Sequence, residues 1–292
     1  MKTLTIFTPT YNRASLLPRL YRSLLEQCNL DFMWLIVDDG SNDETELVVS
    51  KWIQDGILKI QYFKQQNKGK MKAHNTGVGL CSTPLFLCVD SDDSLCPHAV
   101  QSIIDFYKLI QNDETICGFI GQKKTEEVSG RNQLATSSLS TLYNLYASGF
   151  KGETALVFKT KVLKEFTFPE IPNEKFITEA YIYDQIDQQF RYMQVGEYWI
   201  DCDYLEDGYT KNALKLRRDY PIGWMMFFKQ RYLICNLGLL GSIRCMANYI
   251  CSSLFAGKNF VSIIWESPSI FNCILCFPLG VRYYINIKKK LD

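Results

Sequence analysis

The chain predicts an α/β fold: a doubly wound, mostly parallel Rossmann-like sheet followed by a C-terminal helical extension. Three observations predict it. Phe32 to Asp39 reads FMWLIVDD and Pro84 to Asp93 reads PLFLCVDSDD; an unbroken apolar run ending in turn residues is the mark of a strand buried on both faces. Helical patterns of roughly ten to fifteen residues alternate with such runs, as in βαβ units. After Tyr220 the acidic residues nearly vanish and long uncharged stretches begin.

The elements follow in order. Leu4 to Thr8 is the first expected strand, and Pro9 to Arg13 the turn after it. Ser15 offers a cap for a helix reaching Gln27, with Leu16, Leu17, Leu20, Leu24 and Leu25 on one face. Asn42 to Gln54 is expected as a second helix, its first turn acidic as the helix dipole prefers. Ile60 to Phe63 is a strand, Lys70 to Leu80 a helix, Leu85 to Val89 a strand, Pro97 to Ile110 a helix and Ile116 to Ile120 a strand.

Open α/β sheets bind ligands just outside the carboxyl ends of their strands. Asp38, Asp39, Asp90, Asp92 and Asp93 would all gather there, where their mutual repulsion is costly without a cation. Hard divalent ions take carboxylate oxygens and are usually shared with substrate phosphates. The acidic ends therefore point to a metal-dependent site for a phosphorylated ligand. With two histidines in the chain and no His-x-x-x-His spacing, a zinc site is not expected; His74 reads as a hydrogen-bonded supporting residue and His98 as a surface one.

Thr8-Pro9-Thr10-Tyr11-Asn12-Arg13, Val37-Asp38-Asp39-Gly40-Ser41, Asn67-Lys68-Gly69-Lys70 with Ala73-His74-Asn75, and Asp90-Ser91-Asp92-Asp93 resemble, in that order, the motifs of family 2 glycosyltransferases. Those are inverting enzymes of the GT-A fold, and the nearest resemblance is to transferases that build bacterial capsule, exopolysaccharide or O-antigen units. The resemblance covers residues 1–220 and implies a nucleotide-sugar donor, a UDP-sugar by preference. On that reading Asp39 accepts the imide N–H of uracil, Tyr11 stacks on the base, and Thr8 and Pro9 shape the pocket. Asp38 holds Arg13 or another basic partner, Lys70 meets a phosphate, and Asn75 completes the nucleotide-binding set. Asp90 and Asp92 hold Mg²⁺ or Mn²⁺ against the diphosphate, with Asp93 beside them.

Inversion needs a general base for the acceptor hydroxyl. The family resemblance places it at Glu179, in Glu174 to Tyr181, with Thr178 as the expected helix cap. Relatives often carry an acidic pair there, whereas this chain has Ala180. Asp184 and Asp187 are the alternatives further along the same helix. Asp201 to Arg218 resembles a flexible segment of related transferases. Lys211, Lys215, Arg217 and Arg218 would form either a lid over the diphosphate or a solvated basic loop.

Residues 1–220 carry 24 Lys/Arg against 29 Asp/Glu, a net of −5, and residues 221–292 carry 8 against 2, a net of +6. We expect a catalytic domain over 1–220 and a membrane-docking region over 221–292. The uncharged stretches 232–243, 245–257 and 267–281 fall short of the roughly 18 apolar residues of a spanning helix, and Pro268 and Pro278 interrupt the last. Aromatic residues and the terminal Lys288-Lys289-Lys290 suit helices lying on an anionic membrane surface; the other expectation is a helical cap on the catalytic domain or a dimer partner. An acceptor linked to polyprenyl diphosphate suits such a surface, and a net charge of +1 gives no field for nucleic acid. The odd count of 11 cysteines, scattered through strands and helices, suggests reduced thiols in the cytoplasm, at the inner face of the membrane. Cys273 and Cys276 read as small packing residues. A sugar-phosphate nucleotidyltransferase and a non-catalytic nucleotide-sugar-binding scaffold remain as alternatives.

Overall fold

In the computed structural model, residues 2–125, 134–202 and 212–291 are described. The chain divides into two compact units, residues 1–167 with 189–204 and residues 168–188 with 205–292.

The first unit is built on a sheet. Its elements are β1 (Leu4–Thr10), α1 (Leu17–Leu25), β2 (Phe32–Asp38), α2 (Thr45–Asp55), β3 (Ile60–Lys64), α3 (Lys70–Leu80), β4 (Leu85–Cys88), β5 (Ser94–Leu95), α4 (Ala99–Ile110), β6 (Ile116–Lys124), β7 (Leu139–Ser140), α5 (Leu142–Ala147), β8 (Thr154–Lys159), α6 (Thr160–Leu163) and β9 (Arg191–Asp201). The strand order is β3-β2-β1-β4-β8-β6-β9-β5, with β7 on β9. Every residue of β1 and of β2 is buried, β2 as its unbroken apolar run requires. Leu20, Leu24, Trp34, Leu87, Ile103 and Trp199 share one core across the sheet and its helices.

The parallel part is β3, β2, β1 and β4. Beyond it β8 runs antiparallel to β4 and β6, and β9 pairs parallel with β6 and antiparallel with β5 and β7. The sheet is thus parallel over its first four strands and mixed beyond them, with most of its paired residues in parallel ladders. β9 interleaves polar residues, as antiparallel strands with an open face tolerate, and β8 has only the short apolar run Ala155 to Phe158, so the sequence alone does not place them.

The second unit is helical: α7 (Ala180–Ile186), α8 (Ala213–Asp219), α9 (Pro221–Ile234), α10 (Gly238–Phe255), α11 (Phe260–Trp265) and α12 (Ile270–Leu291). Met246, Tyr249, Ile250, Ile263, Cys273 and Cys276 form its core. The expected boundary at residue 220 is therefore not where this unit begins. Residues 168–188 join the C-terminal helices because polar anchors tie them there. Glu174 accepts from the N–H groups of Ile222 and Gly223, both at 2.7 Å, and Gln230 Nε2 donates to Tyr181 O at 2.6 Å.

Two local expectations give way. Pro278 lies inside α12 without ending it, so Ile270–Leu291 is one helix of 22 residues with mean hydropathy 1.4 in its most apolar window, long and apolar enough to cross a membrane. And α7 starts at Ala180 with Glu179 as its cap residue and no side-chain cap bond, so Thr178 does not fill that role.

Candidate active site

β2 and β4 both pair with β1, in register Thr10 with Asp38 and Phe7 with Cys88. The carboxyl ends of three adjacent strands thus bring together the turn after β1, Asp38-Asp39 and Asp90 to Asp93. Backbone bonds continue the alignment past the strand ends: Asp39 N to Thr10 O at 2.8 Å and Val89 N to Phe7 O at 2.8 Å. The two loops are also tied to each other, Asn12 N to Ser41 Oγ and Asn42 N to Asn12 Oδ1, each at 2.8 Å.

Within this crevice the expected nucleotide residues take distinct places. Thr8 is fully buried and its hydroxyl accepts from Trp34 Nε1 at 3.0 Å, so it shapes the pocket from behind. Pro9 is buried in β1, and Tyr11 stands 45% exposed. The residue between them, Thr10, is buried and its Oγ1 has no partner among the described residues. A buried polar atom without a bond is expensive, and this one sits where the sheet opens.

Asp38, fully buried, accepts from Ser41 N at 2.7 Å and Tyr62 Oη at 2.5 Å. It is a turn-forming carboxylate held by these neutral donors, and the Arg13 charge acts on Asp92. Asp39 accepts from Gln65 Nε2 at 2.8 Å, Lys68 N at 3.0 Å and Gly69 N at 2.7 Å. It therefore fixes the loop that leads into α3, where Gly69 takes φ +95° and only a residue without Cβ is at ease. A carboxylate has about four lone-pair sites, which leaves Asp39 capacity for one further donor.

Lys70, the first residue of α3, meets Asp90 at 2.8 Å. Burial pushes the Asp90 carboxyl up, but Lys70 and then Lys123 hold it below the ordinary range. Asp92 is pushed up, first by burial and then by the Asp90 charge. Asp93 is 4% exposed and pairs with Lys123 Nζ at 3.1 Å. Burial opposes the Lys123 charge, yet Asp93 and Asp90 raise its pKa well above the usual lysine value. Arg19 of α1 braces the same turn through Asp92 O at 3.3 Å and Ser94 Oγ at 3.4 Å. Asn75 is half-buried on α3, and His74 packs edge-on against Phe7 and Phe86, which makes it a core residue.

The donor set suits a hard divalent cation: oxygen ligands from two carboxylates that repel one another. Among the described residues no three Asp, Glu, His or Cys side chains are grouped to hold a metal ion. A cation at Asp90 and Asp92 would take its other ligands from a bound phosphate and water.

The remaining candidates lie in the helical unit. Glu179 is half-buried at the start of α7. Asp184 and Asp187 are buried, and Asp184 is engaged with Arg231. Of the expected lid cations, Lys211 lies outside the described residues. Lys215 is exposed on α8, Arg218 pairs with Asp219 at 2.7 Å, and Arg217 packs against α9 and α10. Sequence reasoning missed Thr10, Arg19 and Lys123. Only Lys123 had a legible signal, a charge at the end of an apolar run facing the acidic ends.

Residues 5–167 match the family model for glycosyl transferase family 2. The chain is 30% identical over 176 residues to the GalNAc(5)-diNAcBac-PP-undecaprenol beta-1,3-glucosyltransferase of Campylobacter jejuni, covering 58% of this chain and 56% of that one. It is 26% identical over 211 residues to the poly(ribitol-phosphate) beta-N-acetylglucosaminyltransferase TarP of Staphylococcus aureus, covering 70% and 62%. The chain therefore spans less than two thirds of either relative. Among solved structures, S. aureus TarS 1-349 in complex with UDP-GlcNAc superposes with TM-score 0.62 at 16% identity, over 100% of this chain and 91% of that one. The mannosyltransferase PcManGT of Pyrobaculum calidifontis, in complex with GDP-Man and Mn²⁺, gives 0.56 at 15% identity, over 97% and 86%. At such identity these structures establish the GT-A fold alone. Because the family match runs through all four motifs and more than half of the residues, the chain belongs to glycosyl transferase family 2.

Proposed function

We propose that the protein transfers a sugar, with inversion, from a UDP-sugar to a saccharide acceptor in cell-surface polysaccharide synthesis. The observation that carries this reading is the meeting of the Asp90–Asp92 carboxylates with the turn after β1, where the Thr10 hydroxyl is buried without a partner. The C. jejuni relative, named for an undecaprenol-linked acceptor, supports a lipid-linked saccharide here.

Tyr11 offers its ring to the base, and Asp39 accepts the imide N–H through its remaining lone pair. Asp90 and Asp92 hold Mn²⁺ or Mg²⁺; when bound, the ion neutralises the departing nucleoside diphosphate. Lys70 shifts part of its ammonium contact from Asp90 to a phosphate oxygen, a point charge already in place. Glu179, assigned by family resemblance, takes the acceptor proton as the hydroxyl attacks the anomeric carbon on the face opposite the diphosphate. The apolar C-terminal helices with their basic end associate with the inner face of the cytoplasmic membrane.

Incubation with UDP-, GDP- and dTDP-sugars, with and without a polyprenyl-diphosphate-linked saccharide, tests the reading. Acceptor-dependent UDP release with inverted product is expected. Release of pyrophosphate from a sugar phosphate and a nucleoside triphosphate would replace it with nucleotidyl transfer, and binding without release would leave a sensor.

A further inference from the structure

Among the described residues, the helical unit holds a guanidinium without a counter-charge. Arg217 of α8 lies with its Cζ 5.2 Å from the centroid of the Phe228 ring and donates from Nη2 to Asn248 O at 3.1 Å. Its Nε is buried and has no acceptor. Its electrostatic neighbours are Cys251 and Tyr283, with no carboxylate among them, and burial lowers its pKa. Nearby Arg231 shows the usual solution, a carboxylate on the guanidinium fork. Two more buried donors in the same neighbourhood lack acceptors. Trp224 Nε1 is on a ring stacked at 5.8 Å on the same Phe228, and Ser252 Oγ is one turn beyond Asn248 on α10. A desolvated cation with orphan donors around it is costly unless an anion joins it. The planar fork of arginine matches phosphate oxygens in particular.

The same unit shows where such a phosphate would come from. Gly280 of α12 approaches Ile250 and Ala247 of α10, and Tyr284 meets Phe255 further on. The two helices therefore run side by side in one direction, and their starts share one end. Large apolar side chains stand open at that end: Leu239 at 79%, Leu240 at 70%, Phe271 at 70% and Leu275 at 62% exposed. From Phe271 to Tyr283, the neighbour of Arg217, α12 covers about 18 Å at 1.5 Å per residue. Half of a bilayer's hydrocarbon core is about 15 Å. If the apolar end is set in one leaflet, Arg217 stands at the depth of the phosphates, and Lys288 to Lys290 lie further along toward the water.

We propose that Arg217 receives the phosphate of a membrane lipid headgroup, with the apolar ends of α10 and α12 seated in the acyl layer beneath it. This rests on the membrane-association reading and not on sugar transfer.

The full chain is melted, without donor or acceptor, in the presence of dihexanoyl-phosphatidic acid, of dihexanoylglycerol, which has the same chains and no phosphate, or of inorganic pyrophosphate. Ligand bound to the folded state raises the melting temperature, so a rise is expected with the phosphatidic acid alone. Arg217→Leu should fold, since it strands no carboxylate among the described residues, and should lose that rise. Arg217→Lys, a charge without the fork, should keep a reduced one. Co-sedimentation with phosphatidylglycerol vesicles supplies the second readout: Phe271→Asp with Leu275→Asp should release the protein while leaving the Arg217-dependent shift intact. An equal rise with pyrophosphate would transfer the site to a soluble diphosphate. An undiminished rise in Arg217→Leu, or none in the wild type, would overturn the receptor. Vesicle binding undiminished in the Phe271→Asp, Leu275→Asp protein would overturn the seating of the apolar ends, and a failed transfer assay touches none of these arms.

Discussion

The Asp184 carboxylate, 2% exposed, accepts from both Nε and Nη2 of Arg231, at 2.6 and 2.7 Å. This bidentate pair locks α7 to α9, and the Phe227 ring lies 4.5 Å below the same guanidinium. Stranding one partner of a buried pair costs about 3–5 kcal/mol. Arg231→Met should therefore lower the melting temperature sharply, and Asp184→Asn nearly as much. Activity lost by Asp184→Asn should track its unfolding, which separates it from a general base. A fully folded, inactive Asp184→Asn protein would restore Asp184 to the chemistry.

Tyr62 and Asp38 give a stability test with a pH signature. Removing the phenol from a buried carboxylate should cost about 1–3 kcal/mol in Tyr62→Phe, read by urea unfolding. Burial and the bond to Asp38 raise the Tyr62 pKa well above its ordinary value of 10.0. The folded state then holds its proton more tightly than the unfolded chain does. The contribution is complete below pH 10 and is lost as the pH climbs beyond it. Wild-type stability should thus fall faster than that of Tyr62→Phe above pH 10, and parallel curves would remove Tyr62 as the cause.

Asp39 carries two duties, holding the loop before α3 and receiving a base. Asp39→Asn keeps the shape but loses the charge, so donor KM should rise more than kcat falls, and a modest drop in melting temperature should accompany it. UDP- or dTDP-sugars should outcompete GDP-sugars, because a wrong base leaves a buried acceptor unpaired. GDP-mannose as the best ligand would contradict the assignment.

Asp92→Asn should leave the melting temperature of the free protein near wild type, since it removes a charge that Asp90 repels and keeps the shape of a partly exposed side chain. It should abolish both transfer and the joint stabilisation by UDP and Mn²⁺. Excess EDTA should do the same to the wild type. Full activity under either treatment would end the metal proposal.

Glu179→Gln keeps size and helix start but cannot accept a proton, so kcat should fall by about 10² to 10⁴ with donor affinity little changed. NMR of the product should show a β-linkage from an α-linked donor. Retained configuration, or near-normal turnover with Asp187→Asn dead, would move or remove the base.

What the sequence determined by itself is whatever a short stretch of chain encodes completely. Unbroken apolar runs ending in aspartates read as strands buried on both faces, so β2 and β4 and the acidic cluster at their ends were legible from residue order, and so was the family. Tertiary structure alone decided the partners. That Asp38 takes Tyr62, that Lys123 pairs with Asp93, that residues 168–188 belong with the C-terminal helices and that Arg217 meets no carboxylate among the described residues all depend on residues far apart in the chain. A charge in a sequence does not say whether it will be paired, because desolvation is set by neighbours that only folding supplies. Pro278 makes the same point for the backbone: locally it ends a helix, yet the packing of Gly280 on Ile250 holds α12 in one piece through it.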